Sequence, residues 1–151
     1  MPTRPANEGD VEACVAIVEE LPDFFTDNVP GEVRHDLGLH QGWVTVDDDC
    51  LLGFAVVERR SAAVAEILWM AVRPARRGSG VGTALLEHVL AALGQDGVEL
   101  VEVKTLDAGA GYTPYEATRA FWSKRFVQID TIDPYPGWSE GNPAAIFICA
   151  L

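Results

Sequence analysis

The sequence is poor in positive charge and in cysteine, and it has no long apolar run. Its 11 Lys and Arg stand against 23 Asp and Glu, a formal net charge of −12. That balance repels the phosphates of nucleic acids and of anionic lipid, and the few cations form no extended basic stretch. Polyanionic partners are thereby excluded: no nucleic acid and no membrane surface is expected. No segment stays apolar over the roughly 20 residues that a membrane span requires. The opening residues Met1-Pro2-Thr3-Arg4-Pro5 lead into Glu8 and Asp10 without the apolar core of an export signal, so the expected location is cytoplasmic. Cys14, Cys50 and Cys149 are odd in number and far apart, which fits reduced thiols rather than a disulfide framework. His35, His40 and His88 lack the close spacing to other ligands that builds a zinc site, and no metal is expected.

What is present is the composition of an ordinary globular protein, 48% hydrophobic and 23% charged over 151 residues, and a single domain spanning 1–151 is the expectation. Thr3 to Ala6 reads as a short edge strand or a lead-in. Asn7 with Asp10 makes a helix start, and Val11, Val15, Val18 and Leu21 recur at helical spacing until Pro22. Phe24 and Phe25 follow in a polar loop, where they either line a pocket or plug the core. Pro30 to Leu37 predicts a second helix ended by Gly38.

Trp43 to Val46 and Leu51 to Val57 form a hairpin around the acidic turn 47–49, which lacks the ligand spacing of a calcium loop. Ala63 to Val72 is a strand apolar at nearly every position except Glu66, a pattern that predicts burial on both faces. Val81 to Leu93 is a helix with Val81, Leu85, Val89 and Leu93 on one stripe, and Val98 to Thr105 is a further strand. Strand, helix and strand in fewer than about 40 residues predict a parallel pair. Thr113-Pro114-Tyr115-Glu116 has capping-box spacing and predicts a helix to about Arg125. Phe126 to Ile132 and Ala144 to Ala150 close the chain as strands. The fold class is thus α/β (α+β), a mixed and mostly antiparallel sheet of about six or seven strands with one central parallel pair and about four flanking helices.

The chemically informative segment joins the strand Ala63–Val72 to the third helix: Met70-Ala71-Val72-Arg73-Pro74-Ala75-Arg76-Arg77-Gly78-Ser79-Gly80-Val81-Gly82-Thr83. A glycine-rich turn opening a helix presents unpaired amides and the positive end of the dipole to an anion, and three arginines add a positive rim. A Walker loop is excluded because no lysine precedes Thr83, and the dinucleotide fingerprint is disfavoured because the G-x-G-x-x-G spacing is absent.

Arg77-Gly78-Ser79-Gly80-Val81-Gly82 closely resembles the Q/R-x-x-G-x-G/A signature of the GNAT superfamily of N-acetyltransferases. Ala120-Phe121-Trp122-Ser123-Lys124-Arg125-Phe126 is similar to the family's late segment A-x-F-Y-E-K-x-G-F. The resemblance implies acetyl-CoA as cosubstrate and a central strand pair that splays to admit pantetheine. Backbone groups of Met70, Ala71 and Val72 would then pair with pantetheine and the thioester, while Arg77, Gly78, Ser79, Gly80, Val81, Gly82 and Thr83 would hold the pyrophosphate. The acceptor would be a small-molecule amine or a peptide amine, and the family's habit of pairing makes a homodimer possible.

An amine attacks a thioester only when neutral, so a base is needed beside the splayed strands. Glu66 and Glu102, one on each strand, are the candidates, and by alternation Glu66 is expected to share a face with Leu68, Met70 and Val72. The family's thiolate-protonating tyrosine is replaced by Trp122, whose indole N–H is too weak an acid, which leaves Tyr115 or Tyr112 as candidate donors. The departure also admits a different reading, a catalytically silent acyl-CoA-binding module with a regulatory or structural role. Phe24, Phe25, Trp43, Trp69, Tyr112, Tyr115 and Trp138, with Asp23, Asp27 and Asp36, suit the acceptor side to a cationic amine.

Overall fold

In the computed structural model, which describes residues 2–151, the β-rich runs assemble into one seven-stranded sheet. Its strands are β1 (Thr3–Pro5), β2 (Gln41–Asp47), β3 (Cys50–Arg59), β4 (Val64–Val72), β5 (Leu100–Leu106), β6 (Val127–Ile132) and β7 (Ala144–Ala150). They lie in the order β1-β2-β3-β4-β5-β7-β6, and every neighbouring pair is antiparallel except β4 with β5. Four α-helices complete the chain, α1 (Val11–Glu19), α2 (Val29–Leu39), α3 (Val81–Gln95) and α4 (Glu116–Ser123). This is the mixed architecture with one parallel pair that the sequence pattern predicts.

Each sheet face is covered by a helix pair, and the sequence shows the apolar stripes of α1 and α3, though not Cys14 and Ile17, which widen the α1 face. On α3, Val81, Leu85, Val89 and Leu93 are all buried, and with Trp122 and Phe126 most of that stripe packs on Trp43, Val57, Ile67, Val101 and Phe147. On the other face, Cys14, Ile17 and Val18 of α1 and Val33 of α2 pack on Val44, Phe54, Val56 and Ala71. Alternation along the strands divides their residues between these two cores. Among the described residues no helix is long and apolar enough to cross a membrane.

A 3-10 turn over Glu8–Asp10 leads into α1, and it is this turn that Asn7 and Asp10 cap. The Asn7 side chain accepts from the Gly9 amide at 2.9 Å, and the Asp10 carboxylate accepts from the Asn7 amide at 2.9 Å. Arg4 grips Asp10 through two bonds of 2.7 and 3.0 Å. These contacts satisfy amides that a helix start otherwise leaves open.

Two helix boundaries differ from expectation. Gly38 does not end α2, which runs on to Leu39 before His40 turns extended. Gly38 has no left-handed φ, and the space beside it is open, so it behaves as an ordinary exposed helical residue. Thr113 caps nothing: a 3-10 turn over Thr113–Tyr115, with Pro114 in its first positions, comes first, and α4 begins at Glu116. Proline fixes the turn there without a side-chain cap.

Candidate active site

The sheet opens between its two parallel strands. β4 and β5 pair over four rungs, from Val64 with Leu100 to Ile67 with Val103, and then part. Beyond that point Trp69 to Val72 pairs only with β3, and Lys104 to Leu106 only with β7. The cause lies in β4 itself. Val57 faces Ile67 and Val56 faces Trp69, so Leu68 is a surplus residue, a bulge that bends the strand away from its parallel neighbour.

The bulge overturns two expectations for β4. The strand is not buried on both faces throughout, because Leu68, Trp69 and Met70 are half-exposed where β5 no longer lies alongside. Glu66 does not share a face with Met70. Ala65, Ile67 and Met70 face α3, whereas Trp69 and Ala71 face α1 and α2, so the alternation slips by one residue at Leu68. Glu66 therefore shares its face with Trp69 and Ala71.

Next to the opening lies the glycine turn. A 3-10 turn at Pro74–Arg76 leads into Gly78, with φ 78°, and Gly80, with φ 87°, which is the residue before α3. Both conformations favour glycine, and nothing lies within 4 Å of a Cβ built at either position. No side chain caps α3, so the amides at its start face outward without intrahelical partners. The turn is thus a cradle built from backbone with the positive end of a helix behind it, and it fits an incoming diphosphate.

The arginines divide their attention. Arg73 is drawn back, its Nε donating to Leu51 O at 2.6 Å and its terminal nitrogen 3.4 Å from Glu20. Arg76 reaches Asp47 at 3.8 Å. The Arg77 guanidinium lies over the Phe24 ring, 4.5 Å from its centroid. Of the expected positive rim, Arg77 is the member held by an aromatic ring rather than by a carboxylate or carbonyl.

On the α1–α2 face, Glu58, Glu66 and Glu102 stand side by side on β3, β4 and β5, in register across three strands. Three adjacent carboxylates repel unless countered. Glu66, 1% exposed, is countered by Arg60 and by Lys104, whose Nζ is 2.9 Å from Oε2. Glu58 takes Arg60 Nε at 2.6 Å and His40 Nε2 at 3.6 Å. Glu102 is half-buried and takes part in none of these ion pairs. Glu66 and Glu102 are thus brought together one rung before the strands part, but only Glu102 keeps its carboxylate uncommitted.

The tyrosines of the β5–α4 segment serve the α1–α2 loop. Tyr112 Oη donates to Asp23 O at 2.7 Å, and Tyr115 Oη donates to Phe24 O at 2.6 Å. Burial, with Tyr112 beside it, pushes the Tyr115 phenol up to about 12. Phe24 meets Tyr115 edge-on at 5.3 Å, and Phe25 meets Trp69 at 6.3 Å, so both phenylalanines are packing residues at the edge of the α1–α2 core. Trp122 is 5% exposed between Phe121 and Phe126, a core side chain remote in character from a proton donor.

Sequence reasoning missed Arg60, Lys104 and Tyr135. Lys104 Nζ donates to Tyr135 Oη at 2.8 Å and lies 4.7 Å from that ring's centroid. The available signal was the run Glu102-Val103-Lys104, whose alternation puts a cation and a carboxylate on one face of β5.

A depression of about 590 Å³ lined in part by Trp43, Arg59, His88 and Asp96 lies toward the other end of α3 from the glycine turn, apart from this constellation.

Known structures share the whole arrangement of elements. A protein from Desulfovibrio desulfuricans assigned to the GNAT family superposes with a TM-score of 0.86 at 21% identity, covering 99% of this chain and 98% of that one. The ribosomal-protein-S18-alanine N-acetyltransferase of Escherichia coli gives 0.78 at 19%, covering 99% and 92%. An aminoglycoside 6'-N-acetyltransferase complexed with coenzyme A gives 0.78 at 16%, covering 99% and 97%. At such identities the likeness is one of fold. No curated protein matches the chain in sequence. The family model for the acetyltransferase (GNAT) domain matches residues 38–124, more than half of the chain and the stretch that holds the bulge, the glycine turn and α4. By that match, with the parted strands and the uncapped glycine turn in agreement, the chain belongs to the GNAT acetyltransferase family.

Proposed function

We propose that the protein transfers an acetyl group from acetyl-CoA to a primary amine by direct attack within a ternary complex. The observation that carries this reading is the juxtaposition of the parted β4–β5 pair with the outward-facing amides before α3. Such a site takes a ligand that is diphosphate at one end and amide-rich along its length. The amides of Gly78 and of Gly80 to Thr83, with Arg77, hold the diphosphate, the Ser79 amide being given to Arg76 O at 3.3 Å, and the open edge of Met70, Ala71 and Val72 pairs with pantetheine and the thioester carbonyl. Relatives in fold that are named for an aminoglycoside amine and for a ribosomal alanine support an amine acceptor.

Glu102 takes the role of base, directly or through one water, because Glu66 already answers two cations. The amine loses its proton to that base as nitrogen bonds to the acetyl carbon. Tyr115, with its hydroxyl given to Phe24 O, positions the α1–α2 loop. Exposed Asp23 and Asp27 on that loop, and a net charge of −12, favour a cationic acceptor.

A second reading, an acyl-CoA-binding module without turnover, is favoured by one observation: Trp122 occupies the position of the family's tyrosine and is buried in the core. Two measurements decide. Coenzyme A should raise the melting temperature, and acetyl-CoA should release free thiol with at least one of spermidine, kanamycin or an unblocked alanyl peptide. Protection without thiol release selects the silent module, and absence of protection rejects both.

A further inference from the structure

The described residues contain three tyrosines, and their hydroxyls are used in two different ways. Those of Tyr112 and Tyr115 donate to carbonyls of the α1–α2 loop, so their protons are committed. The Tyr135 hydroxyl instead accepts, from Lys104 Nζ at 2.8 Å. An ammonium has three donors and no acceptor, so the phenolic proton of Tyr135 must point elsewhere, and among the described residues it meets no acceptor.

The place of this pair in the sheet gives it significance. Ile67 and Val103 form the last rung of the parallel pair, so Lys104 is the first residue of β5 at the opening. Its ammonium is pinned from the other side by Glu66, which is 1% exposed and held in turn by Arg60. Tyr135 comes from the β6–β7 connection and is half-buried, with its ring against Trp138 at 5.4 Å and under the Lys104 ammonium. A chain Glu66–Lys104–Tyr135 therefore runs from the buried sheet to a phenolic O–H at the mouth of the strand opening.

The geometry points to Tyr135 as the group that returns a proton to the departing thiolate, in place of the tyrosine that Trp122 replaces. This rests on the acetyl-transfer reading above. As the amine nitrogen bonds to the acetyl carbon, the carbon–sulfur bond breaks and its electron pair passes to sulfur. The Tyr135 O–H proton goes to that sulfur, giving the free thiol and a phenolate. Lys104, already bonded to the phenolic oxygen, counters the new negative charge until solvent reprotonates it. Lys104 thus acts through Tyr135 as a positioning residue, and Glu66 fixes Lys104.

The test is single-turnover thiol release from acetyl-CoA, with spermidine, kanamycin and an unblocked alanyl peptide as acceptors, in H2O and D2O. Tyr135→Phe should slow the wild-type rate by about 100-fold, leave coenzyme A affinity within about twofold, and reduce the solvent isotope effect of the wild type to the part carried by the amine proton. Lys104→Met should slow it less, again without loss of coenzyme A binding. If Tyr135→Phe stays within about twofold of wild type, or is slowed while keeping the wild-type isotope effect, the assignment is overturned. Should Tyr135→Phe fail to fold, Lys104→Met decides alone: a slowed rate with intact coenzyme A binding supports it, and an unchanged rate overturns it. A wild-type protein that binds coenzyme A yet releases no thiol with any of the three amines removes the acetyl-transfer reading itself, and the proton donor with it.

Discussion

The Arg77 guanidinium lies 4.5 Å above the ring centroid of Phe24, tying the turn before α3 to the loop between α1 and α2. Charge and ring make separable contributions. On the proposed reading, Arg77→Ala removes a charge-assisted bond to the diphosphate and should weaken coenzyme A binding roughly tenfold, by calorimetric titration. Phe24→Ala leaves the guanidinium available and should instead cost about 1 kcal/mol of stability, through the lost cation–π and edge-on ring contacts. Equal losses of affinity in both variants would mean that the ring, not the charge, shapes the donor site.

Gly80 holds φ at 87° with open space where a Cβ would project. Gly80→Ala should destabilise the fold by only about 1–2 kcal/mol, the cost of one left-handed residue. The added methyl would stand where the diphosphate approaches, so coenzyme A should no longer raise the melting temperature. A variant that melts near wild type and is still protected would show that the anion is bound elsewhere.

The paired glutamates should separate by phenotype. Glu102→Gln should lower kcat by about 100-fold or more while leaving the melting temperature unchanged, because its carboxylate enters none of the ion pairs of the row. Glu66→Ala strands Arg60 and Lys104 around a buried position and should cost on the order of 3 kcal/mol by denaturant unfolding. An inactive but fully stable Glu66→Ala, beside an active Glu102→Gln, would exchange the two roles.

Acid should weaken the start of α1. Arg4 beside Asp10 holds that carboxyl below its ordinary 3.8, helped by the Asn7 amide and opposed by burial. A carboxyl depressed in the folded state stabilises fully above the unfolded pKa, and the gain is lost as pH falls through the folded one. Asp10→Ala should therefore cost about 1–2 kcal/mol at neutral pH, and its deficit relative to wild type should shrink below about pH 4. A deficit independent of pH would assign the cost to packing rather than to the ionised cap.

Most of this fold is legible in the sequence because its signals are local. The stripe of Val81, Leu85, Val89 and Leu93, the Asn7 and Asp10 pair and the Gly78–Gly82 turn each need only neighbours in the chain to be interpreted. What stays hidden depends on partners. The surplus residue at Leu68 exists only relative to Val56 and Val57 on β3, so strict alternation put Glu66 on the wrong face. The ion pairs of Glu66 join residues 6 and 38 positions away, and Tyr135 reaches Lys104 across 31 positions, contacts that exist only once the strands are laid side by side. Gly38 and Thr113 mislead for a simpler reason: an exposed glycine can continue a helix, and a proline can turn the chain without a cap.

The bulge at Leu68 has an evolutionary corollary. It is a miscount of one in the backbone, so the slot beside it owes little to which side chains line it. On the proposed reading, replacements along the α1–α2 loop should retune acceptor choice without closing the strand opening. Deleting Leu68 should bring β4 back into step with β3 and remove the bend that carries it away from β5.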